Sequence, residues 1–113
     1  MLTPDSLSDS LSDSLHDITI GIIRDKLINI YGVLIYLRRD LNGECILRLE
    51  DIHAGNGYYR AYMTIALDDD QIIIIPWHRG VSFEAVMLSL SDANSLDYLY
   101  DYVVKSRLPF KYQ

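Results

Sequence analysis

The sequence has one cysteine, few prolines, a deficit of basic residues and no long apolar run. A single thiol, Cys45, excludes an internal disulfide framework and any zinc site built on cysteines. It fits a reducing, cytoplasmic setting. No stretch reaches the roughly 18 apolar residues that read as a membrane-spanning helix. The start lacks the basic and apolar segments of a secretory signal. Sixteen Asp and Glu face ten Lys and Arg, a net charge of −6. That balance repels a phosphate backbone and disfavours unspecific nucleic-acid binding. The glycine-rich phosphate-loop and dinucleotide signatures are missing too, and no cofactor is expected.

What is present suits one small domain. The chain has 113 residues, half of them hydrophobic, enough for a core without staples. Nine tyrosines point towards strands or a recognition surface.

The most distinctive stretch is a four-residue repeat over residues 5–17, Asp-Ser-Leu-Ser written nearly three times and ending at His16-Asp17. Residues four apart stack on one side of a helix. Asp5, Asp9, Asp13 and Asp17 then form an acidic stripe; Leu7, Leu11, Leu15, Ile18 and Ile22 form an apolar one. Thr3, Pro4 and Asp5 suit a helix start. Five serines and like charges four apart, at roughly 0.2–0.5 kcal/mol per pair, make this a poor isolated helix. Its helicity must come from docking the leucines. Three readings stand: a disordered tail, a helix docked on the protein's own sheet, or an acidic amphipathic element that docks on a partner.

Residues 18–30 carry two patterns. Ile18, Ile20 and Ile22 alternate as in a strand, whereas Ile23, Leu27 and Ile30 keep helical spacing. A helix to about Asn29 is expected, buried on the sheet along one side and facing a partner or second subunit along the other.

Strand signals follow. Residues 33–39 pair through an Asp40–Gly43 turn with residues 44–52. A Gly-rich loop at 53–57 leads to a strand over 58–67. The turn at Asp68–Asp70 precedes the β-branched run Ile72–Ile75, which Pro76 ends or marks as an edge. A turn at His78–Gly80 gives a fifth strand over 81–90. Ser91 and Asp92 cap a last helix whose core face is Ala93, Leu96, Leu99, Tyr100, Val103 and Val104. The expected fold is α+β: N-terminal helix, antiparallel meander of about five strands, and C-terminal helix packed on one face. Residues 1–17 form the docking segment and 18–113 the domain.

Chemistry is harder to find. Asp68–Asp70 lack the spacing of a calcium loop and read as turn residues. His53 has no acid or base beside it in sequence. Cys45 sits within a strand rather than at the turn or helix end that presents a nucleophile. No catalytic set and no metal ligands are read, and the expectation is a non-enzymatic protein. Two clusters resemble recognition surfaces. Trp77, His78 and Arg79 are residue types that anchor interfaces. Arg38, Arg48 and Arg60 with Tyr36, Tyr58 and Tyr62 form an aromatic–basic strip that suits single-stranded nucleic acid.

The leading expectation is a small acidic binding module, an adaptor, chaperone or inhibitor that masks a protein partner with a basic or apolar groove. Its contact residues would be Asp5, Leu7, Asp9, Leu11, Asp13, Leu15, Trp77, His78 and Arg79. The alternatives are a nucleic-acid binder, dimeric so that two sheets share one strand, and, last, a small enzyme.

Overall fold

Ile20, Ile23 and Leu27 recur at steps of three and four, the spacing of one helix face. In the computed structural model all three are buried, on a helix, α1, that spans Pro4–Leu27. The structure describes residues 4–52 and 60–106, with side chains from Leu15 onward. The strand alternation of Ile18, Ile20 and Ile22 yields to the helical period, and α1 runs unbroken through Asp17 and Ile18. At 1.5 Å per residue it is about 36 Å long. Arg24 and Lys26 sit in its last turn, at the negative end of the helix dipole. A turn through Ile30 and Gly32 (φ +80°) then feeds the sheet.

The sheet is an antiparallel meander of β1 (Val33–Arg39), β2 (Cys45–Asp51), β3 (Ala61–Asp68) and β4 (Gln71–His78). The fifth position is shared by two short segments, β5 (Val81–Ser82) and β6 (Val86–Ser89), both paired with β4. The β1–β2 turn closes as its residues predict. Gly43 takes φ +81°, and the Asp40 carboxylate accepts hydrogen bonds from the Asn42 and Glu44 amides. At the β4–β5 turn Arg79 and Gly80 both take positive φ, the pattern of a two-residue hairpin.

Pro76 does not end β4; the strand continues to His78. The Pro76 carbonyl accepts the Phe83 amide (2.9 Å), so its missing N–H points to the side where residues 83–85 leave the ladder. The proline is tolerated because it faces this broken edge. The single strand expected over 81–90 splits at the same place.

One face of the sheet carries Leu47, Leu49, Met63, Ile65, Leu67, Ile72 and Ile74, all buried, and together with Ile20, Ile23 and Leu27 of α1 they make the core. The last helix, α2 (Ser95–Ser106), adds Leu99 and Val103 to the same cluster. It starts later than Ser91 and Asp92 suggest. Those residues form a preceding turn in which Asp92 accepts the Asn94 amide and the buried Ser95 hydroxyl donates to the Ser89 carbonyl. The buried line of α2 is therefore Ser95, Leu99 and Val103. Tyr102 packs beside it, while Tyr100 and Val104 turn outward. Lys26 of α1 meets Asp97 of α2 at 3.0 Å and lies over the Tyr100 ring, joining the two helices.

Candidate functional site

The helical period that buries Ile20 turns its neighbours outward. Leu15, Ile18 and Ile22 are 64%, 60% and 51% exposed. At 100° per residue they fall in one stripe, about 140° around α1 from the centre of the buried line. The helix is thus apolar on two opposing sides, and only one is used by the core. Isolated exposed leucines are ordinary; three large aliphatic side chains in register are not. Asp5, Leu7, Asp9, Leu11 and Asp13 belong to the helical backbone of α1, but their side chains lie outside the described residues. Tyr58 and the His53 loop lie outside them as well.

The sheet has a second face, turned away from the helices. Strand residues alternate between faces. Tyr36 pairs with Arg48, Arg48 with Thr64 and Thr64 with Ile75, which makes one row across four strands. The Trp77 indole donates to the Thr64 hydroxyl (3.1 Å) and so joins this row. Arg38, Ile46, Ala66, Ile73 and Met87 flank it on the same face. The pleat therefore parts Trp77 from His78 and places Trp77 with the Tyr36–Arg48 strip. Arg79 is exposed in the adjoining turn. Parity within β4 groups positions 73, 75 and 77, and the strand register brings them to Tyr36 and Arg48.

The strip itself is only partly assembled. Arg38 lies over the Tyr36 ring at 5.5 Å. Arg48 Nε stands 3.1 Å from a Glu50 oxygen, a charge contact without the alignment of a hydrogen bond. That carboxylate offsets the charge the strip would offer a phosphate. Tyr62 is buried where the β2–β3 register slips between Leu49 and Glu50; Arg60 precedes β3 and is half-buried.

A third locus forms where α1 crosses the β1–β2 hairpin. Asp17 approaches Arg39 (3.7 Å), Arg39 donates to the Gly43 carbonyl (2.8 Å), and the His16 ring lies 3.3 Å from the Asp69 carbonyl. Cys45 lines the small pocket between them. The Asp17 carboxylate in hydrogen-bonding reach of the thiol, burial and the negative charge of Asp17 raise the Cys45 pKa, against a smaller opposing pull from Arg39. A nucleophile needs the reverse, a thiolate favoured at neutral pH. Cys45 is held as a protonated donor and serves packing. Sequence spacing could not reveal this locus, because its members come from α1, β1, β2 and the β3–β4 turn.

Among the described residues no group of three or more His, Cys, Asp or Glu is placed to hold a metal ion, and no helix is long and apolar enough to cross a membrane. Compared with known proteins, the chain matches no protein-family model, no curated protein and no solved structure.

Proposed function

We propose that this protein is a non-enzymatic protein-binding module that docks through the outward side of α1. The observation that carries this reading is the alignment of Leu15, Ile18 and Ile22, each more than half exposed, opposite the side that builds the core. The partner is a protein with an apolar groove edged by basic residues. Leu15, Ile18 and Ile22 enter the groove as a helix does, at i, i+3 and i+7. The acidic repeat preceding them raises the encounter rate by steering. Bound, the protein acts by covering the partner's surface.

Magnitudes set the extent of the interface. Burying the remaining surface of these three side chains gains about 1–2 kcal/mol each. Association costs at least about 4 kcal/mol. The stripe therefore needs neighbours, and Leu7 and Leu11 continue its spacing in the sequence.

The test is capture from nuclease-treated extract of the source cells, using the intact protein beside a Leu15→Ser/Ile18→Ser/Ile22→Ser variant. A discrete protein held by the first and lost by the second supports the reading. Equal capture by both removes α1 from the mechanism. Charge reversal at Asp9 and Asp13 is expected to slow association with that partner and flatten its salt dependence; an unchanged rate dissociates the repeat from steering.

A second reading, binding of single-stranded nucleic acid on the open sheet face, is favoured by one observation, the row of Tyr36, Arg48 and Trp77 with Arg38 over Tyr36. It predicts affinity for short oligonucleotides that falls steeply with salt. No retention of any oligonucleotide at low salt disposes of it.

A further inference from the structure

The two edges of the sheet are built differently. At the β4 edge the fifth strand is broken into pieces of two and four residues, with Pro76 turned towards the gap. Interruptions of this kind block pairing with another chain. The β1 edge has none of them. It is a regular seven-residue strand, without proline, lysine or bulge, and its middle is Leu34-Ile35-Tyr36-Leu37. No described strand lies beyond it in the sheet order.

Its backbone groups can be assigned by parity. The Gly32 carbonyl accepts the Ile52 amide, and the Asp40 amide donates to the Glu44 carbonyl. Even-numbered residues of β1 therefore direct their N–H and C=O towards β2. The register is unbroken between them, so Val33, Ile35, Leu37 and Arg39 direct theirs to the outer edge.

The geometry points to a second copy of this chain as the occupant of that edge, with β1 antiparallel to β1 about a twofold axis at Tyr36. In that register Ile35 of one copy faces Leu37 of the other, and Val33 faces Arg39. These are the residues with outward backbone groups, and the four pairs exchange about eight hydrogen bonds. Leu37, half exposed alone, gains an aliphatic neighbour on the helix side. On the open face Tyr36 meets Tyr36 and Leu34 meets Arg38. The number of paired outward residues selects this register, and the charges tolerate it. Each Arg38 and Arg39 lies opposite an aliphatic residue, and Asp17 stands by Arg39. Moving the axis one residue either way, to Ile35 or to Leu37, leaves three outward pairs instead of four, and moving it to Arg38 sets Arg38 against Arg38. The same even-sum register keeps both helix layers on one side of a continuous sheet. This interface is separate from the stripe on α1, so a dimer leaves the docking side open.

The experiment combines molar mass by light scattering, from micromolar to sub-millimolar concentration, with residue-resolved amide exchange. The intact chain is compared with Leu37→Lys, with Ile35→Pro and with the Leu15→Ser/Ile18→Ser/Ile22→Ser variant. Ile35→Pro removes an outward N–H that β2 does not use; circular dichroism checks that both edge variants keep their fold. The expected result is a dimer mass for the intact chain and the α1 variant, loss of that mass in either edge variant, and concentration-dependent protection of the Val33, Ile35, Leu37 and Arg39 amides. A monomer at every concentration, with those four amides exchanging freely, overturns the proposal. So does a dimer that the α1 substitutions abolish and Leu37→Lys leaves intact, a result that assigns self-association to the helix.

Discussion

Ile18 and Ile20 stand two residues apart on one helix and occupy opposite environments: Ile20 is 2% exposed against the sheet, and Ile18 is 60% exposed. This divergence separates the part of α1 that makes the fold from the part available to a partner. Substitutions on the two sides should have unlike effects. Ile23→Ala, at a fully buried position, is expected to cost about 2–5 kcal/mol of unfolding free energy. Ile18→Ser is expected to stay within about 0.5 kcal/mol of the parent. Urea denaturation measures both, and comparable losses would mean that the outer stripe is covered within the monomer.

Gly21 lies between those two sides. A methyl group built on it meets no atom within 4 Å. Glycine within a helix costs roughly 0.5–1 kcal/mol relative to alanine. Gly21→Ala is therefore expected to stabilise the isolated protein by that amount, read as a higher denaturation midpoint with an unchanged slope. A destabilised variant would place a neighbour against Gly21.

Cys45 gives the folded state a pH dependence. Its folded pKa lies above the ordinary 9.0, because of the Asp17 contact first and burial second. The folded state thus holds the thiol proton more tightly than the unfolded state does. The stabilisation is fully present below the unfolded value and is lost as pH rises through the folded one, so it disappears only on the alkaline side of pH 9. At neutral pH a disulfide reagent should label native Cys45 much more slowly than the unfolded chain, and Asp17→Ala should speed that labelling. Native labelling as fast as unfolded labelling would contradict the arrangement.

Trp77 reports on the open sheet face. Trp77→Phe keeps an aromatic ring but deletes the bond to Thr64, at a cost of about 0.5–1.5 kcal/mol. Thr64→Val should cost a similar amount, and the double variant less than the sum of the two. Full additivity in a double-mutant cycle would show that the bond contributes nothing in solution.

Much of this architecture is legible in the residues. The β-branched and aromatic run at the start of Val33–Arg39, the Asp40–Gly43 turn and the helical spacing of Leu99 and Val103 each specify an element locally. The Leu15–Ile18–Ile22 stripe is visible for the same reason. Ile20 is ambiguous because a strand period and a helix period both pass through it, and burial in the core shared with β2 and β3 decides between them only in three dimensions. The grouping of Trp77 with Tyr36 and Arg48 depends on strand order and register, which no local pattern carries. The Asp17–Cys45–Arg39 locus depends on where α1 crosses a hairpin. Tyr62 is buried because the β2–β3 ladder slips by one residue, and such a slip leaves little trace in composition.

Docking through the outward side of α1 is probed by site-specific photo-crosslinking in the source cells. A photoreactive phenylalanine derivative is placed singly at Ile18, at Ile22, or at Leu41, a fully exposed residue in the β1–β2 turn. Positions 18 and 22 are expected to share one discrete protein adduct that is absent at 41. The same adducts at all three positions, or none at 18 and 22, would contradict docking through the outward side of α1.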